Sequence, residues 1–142
     1  MSLLRPTSLL LALATLAGCA TQPATVSIEP SAKALQVSPG QSARCKPIEL
    51  QQGQTLILSL PSNPTTGFRW QLFDAAPSVL KALGPEVYRV PEEAGIVGSA
   101  GVSTWRFQAG QPGQGRLLLQ YQRPWEQGVA PALIYDCAVQ VD

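Results

Sequence analysis

Side chains capable of covalent or acid–base chemistry are sparse in this chain. Histidine is absent from its 142 residues, which removes the usual base of serine and cysteine nucleophile sites and most zinc ligand sets. Glu92 and Glu93 are adjacent, an arrangement that in a loop serves solvation more often than paired acid–base work, and Asp74, Asp136 and Asp142 are scattered. No glycine-rich phosphate loop leads from a strand into a helix. An enzyme needs a nucleophile with its base, a carboxylate dyad, a metal or a cofactor, and none is legible. The expectation is a protein that binds rather than catalyses, with no cofactor and no metal.

Three stretches carry binding chemistry. In Asn63-Pro64-Thr65-Thr66-Gly67-Phe68, Pro64 fixes its own φ and pushes Asn63 toward an extended conformation. Gly67 permits a sharp exit with φ > 0, and the two threonines between are β-branched and stiff. Such a tip loses little entropy on docking, although an ordinary strand connection would also account for a bare Pro-x-x-Gly. Arg123-Pro124-Trp125 sets a large aromatic beyond a stiffening proline, and Trp and Arg are enriched at binding hot spots; Trp125 folding down onto the core is the alternative. Gly98-Ser99-Ala100-Gly101 offers backbone without bulk, suited to lie along an extended partner chain.

The cysteines and the N-terminus bear on compartment. Met1–Pro6 carries one basic side chain, Arg5, and precedes the apolar run Leu9–Ala17. That run falls short of the roughly 20 residues a spanning helix needs, and its layout is that of a secretory signal; a buried N-terminal helix would leave Leu9, Leu10, Leu11 and Leu13 without a core. Leu16-Ala17-Gly18-Cys19 resembles the bacterial lipobox, whose cysteine thiol receives a diacylglycerol and becomes the first residue after cleavage. Each buried CH₂ of such chains adds about 0.8 kcal/mol of anchoring. Ala20 follows Cys19, which favours the outer membrane of a bacterial envelope over the inner. With Cys19 assigned to lipid, Cys45 and Cys137 remain as a pair in an oxidising compartment and read as a disulfide. A reactive thiol is the alternative, with no histidine to activate it.

These features need elements to position them. The chain is expected to divide into a signal peptide (residues 1–18), a lipidated cysteine and flexible tether (residues 19–42), and one folded domain (residues 43–142). A flexible tether of about 20 residues reaches roughly 25 Å. From Ala43 onward short alternating runs are separated by turn signals. Strands are expected at Arg44–Leu50, with Pro47 marking an edge, at Thr55–Leu60, Phe68–Phe73, Glu86–Val90, Ser103–Ala109, Arg116–Arg123 and Ala132–Val141. One helical turn is allowed over Pro77–Ala82, and Pro91–Gly101 reads as a long loop. About seven such strands predict an all-β, immunoglobulin-like antiparallel β-sandwich, with an up-and-down barrel as runner-up. If successive strands reverse direction, the loops Pro61–Gly67, Pro91–Gly101 and Pro124–Pro131 share one pole, as the recognition loops of antibody domains do.

Removal of residues 1–18 takes Arg5 with it and leaves nine basic against nine acidic side chains. A near-neutral domain has no electrostatic footprint for nucleic acid.

The three motifs, in this order and spacing across roughly residues 45–141, resemble the chagasin family of cysteine-protease inhibitors. The resemblance implies a monomeric, immunoglobulin-like inhibitor of papain-like cysteine peptidases whose three loops fill the active-site cleft reversibly and uncleaved. Thr65 would then lie over the catalytic cysteine, with Asn63, Pro64, Thr66, Gly67 and Phe68 shaping the tip. Gly98, Ser99, Ala100 and Gly101 would line one side of the cleft, and Arg123, Pro124 and Trp125 the other. Ala100 stands where the family usually has glycine, and Phe68 where tyrosine is common. The competing expectations are an envelope lipoprotein module recognising glycan or lysozyme, and a structural lipoprotein whose loops merely connect.

Overall fold

A computed structural model describes residues 34–90 and 100–142. The expected signal peptide (residues 1–18), the expected lipidation site Cys19, most of the expected tether, Gly98 and Ser99 lie outside the described residues.

Nine strands are present among the described residues: β1 (Leu35–Val37), β2 (Ile48–Leu50), β3 (Thr55–Ser62), β4 (Arg69–Ala75), β5 (Leu80–Ala82), β6 (Val87–Arg89), β7 (Gly101–Ala109), β8 (Gly113–Gln122) and β9 (Leu133–Val141). One sheet runs β1-β3-β7-β5, with β6 pairing on β7 beside β5; the other runs β2-β9-β8-β4. Two open sheets facing each other make an immunoglobulin-like sandwich, and each keeps its own edges, so the barrel alternative is not adopted.

Alternation builds the core. Leu56, Leu58 and Leu60 of β3, Trp105 and Phe107 of β7, Leu117, Leu119 and Tyr121 of β8, and Tyr135, Cys137, Val139 and Val141 of β9 all point inward and are buried. Period-2 side-chain direction delivers every second residue to one face, and each fully buried leucine or valine contributes about 1.5–3 kcal/mol. The intervening Arg106, Gln108, Asp136 and Ala138 are exposed.

The structure differs from the expected plan in four respects. The sheets are mixed rather than wholly antiparallel, because β1 pairs with β3 and β2 with β9 in parallel. The ordered domain starts before residue 43: Leu35 and Val37 flank Gln36, pack against the core and add an edge strand inside the stretch read as tether. The segment Pro77–Ala82 is a single turn followed by β5, since Val79 and Leu80 both donate to the Ala76 carbonyl before Leu80 pairs with Ala109. In β4 the alternation fails at Leu72, where a register shift before Asp74 leaves Phe73 unpaired. Leu72 and Phe73 are exposed there, on an edge strand where a bulge also discourages pairing with another chain.

Pro47 does precede an edge strand, β2. Cys45 and Cys137 form the disulfide, with Cα atoms 5.3 Å apart and a sequence separation of 92 residues, tying the entry to β2 onto the central strand β9. Among the described residues no helix is long and apolar enough to cross a membrane.

Candidate functional site

Pairing places the expected loops at one end of the sandwich. β3 ends with Ser62 opposite Gly101, the first residue of β7, and β4 starts with Arg69 opposite Gln122, the last residue of β8. The loop 63–68, the described end of the glycine-rich loop and the turn after β8 therefore leave the sheets together. A shallow hollow of about 250 Å³ lies beneath them, lined by Asn63, Thr66, Phe68, Ala100, Tyr121 and Leu133 among others.

The tip is one turn of 3-10 helix, Pro64–Thr66, with Asn63 as N-cap and Gly67 at φ +83° as C-cap. Proline suits the first helical position because its missing N–H would be unbonded there anyway. The Asn63 carboxamide oxygen accepts from the Thr65 amide (3.3 Å) and the Thr65 hydroxyl (2.6 Å). The Thr66 hydroxyl donates to the Asn63 carbonyl (2.7 Å), and the Gly67 amide donates to the Pro64 carbonyl (3.1 Å). Both threonine side chains stay exposed. Their protons are directed into the turn, so the hydroxyls offer lone pairs outward.

The tip is also held from below and from the side. The Tyr121 hydroxyl accepts from the Asn63 amide (2.8 Å), and the Trp70 indole donates to the Pro61 carbonyl (2.8 Å). Arg69 donates from Nη1 to the Pro64 carbonyl (2.7 Å) and the Phe68 carbonyl (2.8 Å). Rings stack inward from the tip, with Phe68–Tyr121 centroids 5.3 Å apart and Tyr121–Trp70 centroids 5.0 Å apart. The Arg123 guanidinium caps this stack 4.5 Å from the Phe68 centroid, and its Nε donates to the Thr66 carbonyl (3.0 Å).

Trp125 does not cap the core. It is 67% exposed and lies across Gly67, where an added Cβ would sit 2.4 Å from Cη2 and 2.9 Å from Cζ2 of the indole. Gly67 is thus glycine twice over, for its left-handed backbone and for the ring above it. Gly101 has a different reason: it is buried at the start of β7, and a Cβ there would come within 2.4 Å of the Arg89 carbonyl and 2.6 Å of the Tyr88 hydroxyl. It is a packing glycine, while Ala100 beside it is exposed.

Every expected site residue within the described range, Asn63 to Phe68, Ala100, Gly101 and Arg123 to Trp125, therefore gathers at this pole. Arg123, expected as part of the cleft wall, also braces the loops. Sequence patterning does not reveal Arg69, Trp70 and Tyr121 as supports, nor Glu126, which accepts from Arg123 Nη1 (3.1 Å), because alternation reports which face a side chain takes and not where its polar end reaches. An aromatic with a polar atom at the last inward position of a strand, as Tyr121 is, is the signal that could have found one of them.

Among the described residues no cluster of three or more metal-ligating side chains occurs. Away from the site, Asp136 is held below the usual carboxylate range by its hydrogen bonds from Arg116, at 2.7 Å each. Both partners are well exposed, so this pair is an ordinary surface contact.

Known proteins share this fold. The solved structures similar to this chain include a cysteine protease inhibitor, EhICP2, from Entamoeba histolytica (TM-score 0.64, 18% identity, 75% of this chain and 94% of the other). Others are amebosin (TM-score 0.58, 23% identity, 78% and 99%) and PbICP-C in its complex with falcipain-2 (TM-score 0.51, 16% identity, 75% and 98%). At those identities the likeness is one of fold. In sequence, amoebiasin-1 of Entamoeba histolytica is 30% identical over 78 residues, covering 55% of this chain and 74% of the relative. The model of the family described as chagasin family peptidase inhibitor I42 matches residues 49–139, a span that runs from β2 to β9 and takes in all three loops. The chain belongs to the chagasin family of peptidase inhibitors.

Proposed function

We propose that this chain is a reversible, non-covalent inhibitor of papain-like cysteine peptidases, acting as a monomer that occludes the cleft with the pole just described. The observation that carries the reading is how the tip disposes of three of its carbonyls. The Asn63 carbonyl accepts from Thr66, the Pro64 carbonyl from Gly67 and Arg69, and the Thr66 carbonyl from Arg123. A scissile peptide must be extended with its carbonyl open to the nucleophile, whereas these are wound into a 3-10 turn and turned onto internal donors. The exposed surface offered to a peptidase includes Thr65, Thr66, Pro124 and the indole of Trp125, a stiff wedge that gives up little conformational freedom on binding. Among the neighbours in fold, EhICP2 is named as a cysteine protease inhibitor, and PbICP-C is solved in complex with falcipain-2.

The proposal extends to location. The signal peptide at residues 1–18 and the lipobox-like Leu16–Cys19 support export and lipid attachment at Cys19, with palmitate-type chains holding the protein in the periplasm on a bacterial envelope membrane, the outer one in preference. Metabolic labelling with a radioactive fatty acid, lost in Cys19→Ala, tests the anchor.

For the inhibitory activity, the test uses residues 20–142 without lipid against papain and several cathepsins. Tight inhibition is expected, weakened by Thr65→Arg and by Trp125→Ala. Absence of inhibition at micromolar concentration, with lysozyme inhibited instead, would overturn the reading in favour of a lysozyme-binding module.

A further inference from the structure

Trp125 occupies the third position of a tight turn that is closed twice. The Glu126 amide donates to the Arg123 carbonyl (3.1 Å) across Pro124 and Trp125, and the Glu126 carboxylate accepts from Arg123 Nη1 (3.1 Å). Proline at the second position of such a turn sets its φ in advance. The same guanidinium that Glu126 holds also donates from Nε to Thr66 and lies over Phe68. A planar group gripped on two of its edges and stacked on one face has its orientation fixed. Because the Arg123 and Glu126 side chains are only 36% and 32% exposed, this pair is less screened than one projecting into solvent.

We infer that Glu126 is a positioning residue for the inhibitory surface. It keeps Arg123 locked between the two loops, so that the Thr65 tip and Trp125 form one rigid body before any peptidase arrives. This rests on the inhibitory function proposed above. Without the carboxylate, Arg123 keeps its bond to Thr66 but loses its second fixed edge, and the turn carrying Trp125 keeps only its backbone bond. The indole then drifts from Gly67, and part of the affinity is lost to reordering it on binding.

The test compares the wild-type chain, Glu126→Gln, Arg123→Gln and the double variant by association and dissociation rates against papain. The proton chemical shifts of the Gly67 α-protons, which lie under the indole, are recorded in the absence of enzyme. The wild type is expected to show these protons displaced upfield by the ring. Glu126→Gln should return them partway to their ordinary position and weaken inhibition about threefold, a size set by partly exposed ion pairs, with no change in melting temperature. In the Arg123→Gln background the same substitution should add nothing, since groups acting through one another are non-additive. An equal loss in both backgrounds would show that Glu126 touches the peptidase itself, and an unchanged shift with unchanged rates would reduce the pair to a surface contact; either overturns the inference. If the wild type fails to inhibit at all, the proposed function falls, and the Gly67 shifts alone still decide for or against positioning by Glu126.

Discussion

Substituting Gly67 by alanine perturbs the proposed inhibitory pole at a single atom, and the structure sets the size of the response. Gly67 sits at φ +83°, where an L-residue with a Cβ is disfavoured by about 1–2 kcal/mol. Alanine's restricted unfolded chain offsets about half a kcal/mol of that. The new Cβ would also stand 2.4 Å from the Trp125 ring, which the ring cannot tolerate. Because Trp125 is 67% exposed, it escapes by swinging into solvent rather than by disturbing the core. The fold should therefore lose about 1 kcal/mol, a fall of roughly 4–8 °C in melting temperature for a domain of this size. Inhibition should fall much further, by about thirtyfold, since a tryptophan anchor displaced from its place is worth about 2 kcal/mol or more. Gly53 supplies the matched control: it has the same φ of +83° with nothing within 4 Å of the place a Cβ would take, and it lies at the other end of the sandwich beside Ala109. Gly53→Ala should cost similar stability and leave inhibition intact. The measurements are thermal unfolding and inhibition constants against papain. Equal inhibition by wild type and Gly67→Ala would refute the claim that the indole over Gly67 is part of the binding surface.

Three further outcomes follow from the packing. Gly101→Ala should destabilise the domain by about 1–3 kcal/mol, the usual range for overpacking, because its Cβ meets the Arg89 backbone carbonyl at 2.4 Å; chemical denaturation with an unchanged midpoint would exclude that contact. Removing the Cys45–Cys137 link as a double serine variant frees a loop with a sequence separation of 92 and should cost about 4–5 kcal/mol on the chain-entropy account, read as a lowered midpoint under non-reducing conditions. Tyr135 is fully buried, with no partner for its hydroxyl among the described residues, and burial pushes its pKa up to about 12. The folded state thus holds that proton more tightly than the unfolded chain, whose tyrosines titrate near pH 10. Its contribution is intact below about pH 10 and is lost as pH climbs toward 12. Tyr135→Phe should leave stability at neutral pH unchanged or slightly higher and unfold at higher pH than wild type; an identical alkaline midpoint would argue that the hydroxyl is hydrated.

Much of the sandwich is legible because its long strands obey the period of 2. Leu56, Leu58 and Leu60, or Tyr135, Cys137, Val139 and Val141, declare an inward face by spacing alone, and all are buried. The pole is legible for the same reason, since strand parity alone gathers the three loops. Two short edge strands are not. β1 and β5 span three residues each, too few for alternation to stand out, and their pairing on β3 and β7 is set by contacts distant in sequence; β6, equally short, falls inside the strand expected at Glu86–Val90. The bulge at Phe73 leaves no mark either, since a continued alternation there looks as reasonable as a broken one. At the site, residue types announce the tip and Trp125, while the braces stay hidden. Tyr121 reads as core until its hydroxyl is seen 2.8 Å from the Asn63 amide.

The topology also bears on where the pole faces. β1 runs parallel to β3, with Leu35 beside Leu56, so the chain enters the ordered domain near the start of β3. The tip at Asn63 lies seven residues further along, about 23 Å at the rise of a strand. The proposed inhibitory loops therefore project from the end of the sandwich opposite to the one at which the proposed tether joins. Leu35, where β1 begins, thus lies at the end of the sandwich remote from Thr65 and Trp125. A rigid wedge suits this position. A peptidase diffusing past meets a tip and a Trp125 turn already held by Asn63, Tyr121, Arg123 and Glu126, so docking of these two loops needs shape and orientation rather than local folding. The domain's scarcity of charge fits the same logic: with nine acidic and ten basic side chains in the whole sequence, long-range steering is weak. Affinity has to come from the fit of a preformed tip, which is why substitutions that loosen Trp125 should act on inhibition far more than on the fold.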